Sequence, residues 1–283
     1  MGDLAVLSAE EFRRLCDFLY RRTGMAFTDR KQYYVERRIA ERMAATGAGS
    51  FATYFSLLRI DVEGEVERLV NAFTVNETYF YREEHQLRCL TADLITDRLR
   101  VGRAGQAIRI WSVPCSTGEE PYSIAIWLLE NWPMVDRYEI EIVGSDIDTG
   151  VLEKARSGLF GKRALMRLSP ALVEKYFAPD GPDAWKILDD LRESVRFSRV
   201  NIVEPLETRP YGHFDVIFCR NVLIYFDDAS RRIAAENLYE SLAPGGYICL
   251  GHSESMSRIT PLFDVRRFAD AIVYQRPAES THG

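Results

Sequence analysis

The sequence predicts an α/β fold: a helical N-terminal region leading into a doubly wound, mostly parallel sheet that carries one small insertion. Three observations predict it. Apolar spacing is helical from Ser8 to Phe73, short Ile- and Val-rich runs then alternate with amphipathic helices, and the stretch 158–193 breaks that alternation. Apolar strands separated by helices mean parallel pairing with both faces covered. The 283 residues suit two domains, which the change of texture places at 1–75 and 76–283, with the insertion at about 158–194.

Ser8 is placed to cap a helix in which Phe12, Leu15, Phe18 and Leu19 recur at helical spacing, and Thr23-Gly24 ends it. A second helix spans 29–45, with Val35, Ile39 and Met43 on one face and Arg30, Lys31, Arg37, Arg38 and Arg42 on the other. That basic face is either a solvated surface or a docking surface. Short helices at 51–59 and 62–73 complete the bundle. After Asn76-Glu77-Thr78-Tyr79-Phe80-Tyr81-Arg82, a helix over 84–100 leads to a Gly-containing turn. Strands are predicted at 107–113, 140–145, 195–200, 215–219, 247–251, 263–267 and 271–275, and helices at 119–131, 149–156 and 228–242. The last two strands lie too close for a crossover helix, so they form a hairpin. The insertion reads as a helix at 169–177, a turn through Pro179, Gly181 and Pro182, and a strand at 184–188, projecting from the sheet.

Composition narrows the function. A net charge of −6 disfavours a protein that grips nucleic-acid phosphates non-specifically. The longest apolar run, Ile124 to Leu129, is too short to cross a bilayer, and no basic-then-apolar leader opens the chain, which points to a cytoplasmic protein without membrane insertion. Cys16, Cys89, Cys115, Cys219 and Cys249 are scattered, and the four histidines show no ligand spacing. Neither a disulfide framework nor a bound metal is expected.

Ligands of open α/β sheets bind beyond the carboxyl ends of the strands. The first strand runs into Ser112-Val113-Pro114-Cys115-Ser116-Thr117-Gly118-Glu119-Glu120, where Ser112, Ser116 and Gly118 allow close backbone approach and two carboxylates open the next helix. A dinucleotide site would place Gly-x-Gly-x-x-Gly there and keep the helix N-terminus for pyrophosphate. The acids suit a ligand with a cationic amine and a sulfonium, or they cap the helix. Asp146, ending the second strand, is placed to accept both ribose hydroxyls, and Asp148 to cap the following helix. Arg220 and Asn221 end an apolar run and face a ligand or the adjoining loops, because unpaired buried donors are costly. The Pro-Pro-Tyr of adenine N6-methylating enzymes is missing at this point.

The succession NETYFYRE, STGEEPYSIAI, SDIDTGVLEKARSGLF, FCRNVLIYF and GHSES behind a helical region resembles the CheR family, the chemotaxis-receptor glutamate O-methyltransferases, over nearly the whole chain. The resemblance implies a Rossmann-like class I S-adenosylmethionine-dependent methyltransferase sheet, an N-terminal all-α domain and a small inserted β-subdomain. It implies S-adenosylmethionine as cofactor, with S-adenosylhomocysteine as its product. Its cofactor contacts fall on Asn76, Thr78, Arg82, Glu120, Asp146, Asn201, Ile202, Arg220 and Asn221, with Glu119 the alternative to Glu120, and its methyl-transfer residues on Arg82 and Tyr225. Relatives also carry Leu and Ala at the positions of Glu77 and Tyr79, a difference that bears on the pocket rim.

The implied partners are the acidic cytoplasmic helices of chemoreceptors, which the basic face would dock. A glutamate, with an ordinary pKa of about 4.3, arrives ionised and needs no strong general base, so catalysis reduces to alignment and exclusion of water. Apart from the resemblance, Arg82 pairs with Glu83 or Glu84 and Tyr225 is a packing aromatic. The rival functions are methylation of another substrate, a small acid or RNA, and a non-catalytic module that senses the cofactor or docks on receptors.

Overall fold

In the computed structural model, which describes residues 7–100 and 107–278, the N-terminal region is helical as its periodicity predicts. Helix α1 (Ala9–Thr23) starts at a capping box between Ser8 and Glu11 and stops at Gly24, whose φ of 72° favours glycine. The second helix starts later than expected, because Asp29–Lys31 forms a separate 3-10 turn before α2 (Gln32–Thr46). After α3 (Phe51–Arg59), positive φ at Asp61, Glu63 and Gly64 breaks the backbone and confines the predicted fourth helix to α4 (Glu65–Phe73). The predicted helix over 84–100 is α5 (Glu84–Cys89) and α6 (Ile95–Arg100), joined by a π-helical turn at Leu90–Leu94. The Gly-containing turn expected next lies outside the described residues.

Strand β1 (Ile108–Ser112), α7 (Glu119–Asn131), β2 (Ile140–Asp146) and α8 (Thr149–Ser157) begin the α/β alternation. The insertion contains β3 (Leu159–Gly161), α9 (Lys162–Leu165), α10 (Pro170–Tyr176), β4 (Phe177–Pro179), β5 (Ala184–Ile187) and α11 (Asp189–Glu193). Its strands form an antiparallel sheet in the order β3-β5-β4. Only β5 was expected from the residue pattern, since three-residue strands carry no alternation to read. The insertion is a sheet separate from the main one, and its base packs on the linker: Phe160 and Phe177 meet Phe80 edge-on, with ring centres 4.8 and 5.2 Å away.

The chain resumes through β6 (Val195–Arg199), α12 (Pro205–Thr208), β7 (Phe214–Cys219), α13 (Asp228–Ser241), β8 (Leu242–Leu250), β9 (Asp264–Arg267) and β10 (Ile272–Gln275). The main sheet has the order β6-β2-β1-β7-β8-β10-β9. Its first five strands are parallel, and β10 runs antiparallel to both neighbours, which is the expected hairpin. Strand order reverses between β1 and β7, and a crevice opens at such a switch point.

Two apolar cores cover the sheet. On one face Ile110, Phe218 and Val273 pack with Leu90, Leu94, Ile126 and the insertion's Phe160. On the other, Trp111, Val143, Ile217 and Leu238 form one continuous cluster with Leu15, Leu19, Ile39, Leu69 and Phe73 of the N-terminal helices. The bundle and the sheet therefore share a core.

Candidate active site

A cleft of about 930 Å³, including its open mouth, lies at the carboxyl ends of β1, β2, β6 and β7. Asn76, Thr78, Arg82, Glu120, Asp146, Asn201, Ile202, Arg220, Asn221 and Tyr225, drawn from five separate stretches of sequence, all line it.

Asp146 forms its acidic floor. The carboxylate is 3% exposed and accepts the backbone N–H of Ser116 at 2.8 Å and of Asp148 at 3.0 Å. Burial nevertheless dominates and pushes its pKa up to about 6, against an ordinary 3.8. Asp148 caps α8 through the N–H groups of Gly150 and Val151, and its second oxygen accepts from the Asn76 amide at 2.9 Å, fixing the linker beside the cleft. Ser116 (φ 48°) and Gly118 (φ 95°) shape the turn between these groups, and a Cβ on Gly118 would stand 3.0 Å from that of Ala155.

The two carboxylates opening α7 diverge. Glu120 lines the cleft, accepting the Ser112 hydroxyl at 2.8 Å and the Arg220 Nε. Glu119 takes the Thr117 hydroxyl at 2.6 Å, and burial raises its pKa. Arg220 is itself buried between Glu120 and Glu83 and also donates to the Arg82 carbonyl at 2.9 Å. Glu83 is thus committed to Arg220 and His252, and Glu84 to Arg88, which removes the simple surface pairing for Arg82. Arg82 instead donates to the Glu77 carbonyl at 2.8 Å and lies 5.9 Å over the Tyr79 ring, at the cleft wall.

Thr23 and Met25 also line the cleft, and no motif announced them. The segment after α1 forms a bridge between Met25 and Phe226, and Ala26 donates to the Tyr225 carbonyl at 3.1 Å. The Asn201 amide donates to the carbonyl of Arg22 at 2.9 Å, so both loops facing the bundle are anchored to the end of α1. The helical region thereby supplies one wall of the site. Only the contact across roughly 200 residues of sequence creates it, and local spacing carries no trace of that.

The basic face needs one correction. Arg42 does not point outward: it grips Glu65, itself 1% exposed, with bonds of 2.9 and 2.6 Å, and the Tyr54 hydroxyl completes the cluster at 2.6 Å. An acid on α4 lies beneath α2 and draws the guanidinium in. Arg30, Lys31 and Arg37 are exposed, Arg38 is half-buried, and Lys31 lies 5.6 Å over the Tyr225 ring, so this face begins at the cleft mouth. Among the described residues, no group of three His, Cys, Asp or Glu side chains is set to hold a metal, and no helix is long and apolar enough to cross a membrane.

A doubly wound sheet with a buried acid and a narrow turn at its switch point, and no phosphate-binding glycine loop among the described residues, fits the S-adenosylmethionine-dependent methyltransferases. The descriptions "CheR methyltransferase, all-alpha domain" and "CheR methyltransferase, SAM binding domain" match residues 10–74 and 76–272, and the chain belongs to this family. It is 47% identical over 273 residues to chemotaxis protein methyltransferase 2 of Vibrio cholerae, covering 96% of this chain and 94% of that one. The chemotaxis protein methyltransferase of Salmonella typhimurium is 39% identical over 270 residues, covering 94% of this chain and 91% of its own. That of Escherichia coli is 36% identical over the same length and shares.

Proposed function

We propose that this protein transfers the methyl group of S-adenosylmethionine to side-chain carboxylates of specific glutamates on chemoreceptors, forming the methyl esters used in chemotactic adaptation. The observation that carries this reading is the convergence of Arg82, Asp146, Asn221 and Tyr225 on one cleft at the switch point. We read the chain as a helical domain over 1–75 and a methyltransferase domain over 76–283 with a subdomain inserted at about 158–194, working in the cytoplasm.

The residues present fit the cofactor: a buried carboxylate for ribose hydroxyls, a turn of small residues, and apolar walls from Ile147 and Ile202. Asn76, Thr78, Arg82, Glu120, Asp146, Asn201, Ile202, Arg220 and Asn221 hold it, and once bound it supplies an electrophilic methyl on a sulfonium. The acceptor glutamate is already anionic, and no proton has to leave when the ester forms. Arg82 and Tyr225 hold the acceptor's second oxygen or the cofactor carboxylate, since a hydrogen bond to the attacking oxygen would lower its nucleophilicity. Met25, Phe226 and the bundle wall exclude water. Arg30, Lys31, Arg37 and Arg38 draw the acidic receptor helix to the mouth.

The test is tritiated methyl transfer from S-adenosylmethionine to receptor membranes. Label that enters receptor protein and is released by mild alkali supports the reading. Label confined to RNA or small acids, or cofactor binding without turnover on receptors, contradicts it.

A further inference from the structure

The GHSES segment is the one sequence motif that these roles leave unused, and within it Glu254 makes an unusual set of contacts. Its Oε2 accepts the backbone N–H of Asn221 at 2.7 Å and of Gly251 at 2.9 Å, while Oε1 accepts that of Leu223 at 2.8 Å. These donors belong to loops leaving the carboxyl ends of two adjacent parallel strands, β7 and β8. The β7 loop carries Arg220, Asn221 and Tyr225 into the cleft, whereas Glu254 borders separate surface grooves with Ser255.

Asn221 has a φ of 60°, a left-handed conformation that asparagine tolerates and that its surroundings can fix in place. A carboxylate receiving three N–H groups is such a surrounding, because charged acceptors bind donors more strongly than neutral ones. Gly251 makes the approach possible: a Cβ there would stand 2.7 Å from Asn221 Nδ2 and 2.8 Å from Glu254 Oε2. The β7 loop would otherwise leave two N–H groups without a local acceptor at the point where it turns toward Tyr225.

We propose that Glu254 is a positioning residue for methyl transfer, clasping the loops after β7 and β8 so that Tyr225 faces the methyl acceptor. This rests on the reading of Tyr225 given above. Glu254→Gln keeps the size of the side chain but turns one acceptor into a donor, so at least one N–H then meets another donor.

The test is a double-mutant cycle between Glu254→Gln and Tyr225→Phe, with kcat expressed per S-adenosylhomocysteine site counted by calorimetry, so that unfolded chains are not scored as slow ones. Glu254→Gln is expected to lower kcat about tenfold or more, to weaken S-adenosylhomocysteine by a clearly smaller factor, since Asn221 shares the clasped loop, and to cost less than about twofold on top of Tyr225→Phe. If it folds too poorly to titrate, Glu254→Asp, which keeps a carboxylate on a shorter arm, is read against the same three expectations. Wild-type kcat in the folded variant, an equal loss of kcat and cofactor affinity, or a full loss repeated in the double variant overturns the clasp. A fully active Tyr225→Phe enzyme overturns the Tyr225 reading instead, whereas an active Glu254 variant beside an impaired Tyr225→Phe overturns the clasp alone.

Discussion

Asp146 joins two opposed tendencies in one side chain. In the proposed role of ligand for ribose hydroxyls it works as the carboxylate, yet burial pushes its pKa up to about 6. Affinity for S-adenosylhomocysteine should therefore fall as pH drops through 6, by up to about tenfold per unit. The stability of the free protein runs the other way. An acid whose pKa is raised on folding favours the fold when protonated, so this group's contribution is present below its ordinary 3.8 and is lost as pH rises through 6. Calorimetric affinities from pH 5 to 8 check the first sign; affinity that is flat across that range removes Asp146 from the cofactor site. Arg82→Ala should lower kcat on the order of 100-fold or more with the unfolding midpoint unchanged, and full activity would remove Arg82 from the mechanism. Asp146, Arg220 and Asn221 could be picked out from sequence because polar groups ending apolar strands need a use. Thr23 and Met25 could not, because only tertiary docking brings them to the cleft.

The elements differ in how far periodicity reached them. The helix–strand alternation and the terminal hairpin were readable because each has a period of its own, whereas β3 and β4 are too short for one and the break before α4 comes from left-handed residues. Helix α2 shows a subtler limit. Amphipathicity identified its outer face but not the Glu65 that pulls Arg42 off it. The two kinds of arginine should separate on mutation. Arg42→Ala leaves the buried Glu65 carboxylate with the Tyr54 hydroxyl and a longer, 4.0 Å contact to Arg68, and should cost about 2 kcal/mol in denaturant unfolding. Reversing the charge of Arg30, Lys31 and Arg37, the last of which gives up its pair with Glu41, should cost no more than about 1 kcal/mol, raise KM for receptor and flatten its salt dependence. A KM indifferent both to salt and to these reversals leaves that face as ordinary surface.

Across the whole molecule, the shared core makes the bundle part of the catalytic unit. All four tryptophans, Trp111, Trp127, Trp132 and Trp185, lie outside the bundle, so fluorescence reports the sheet region while far-UV ellipticity also reports the N-terminal helices. The two signals should unfold in one coincident transition, and an earlier loss of ellipticity would mean the bundle folds independently. The function proposed above places the cofactor across the carboxyl edge of the parallel strands, with its methyl toward an acid that is already charged. A crystal soaked with S-adenosylhomocysteine tests this most directly: the ribose should sit on Asp146 and the sulfur should face Arg82 and Tyr225. An empty cleft beside Arg82, Asp146 and Asn221, with no heat of binding by calorimetry, would contradict it.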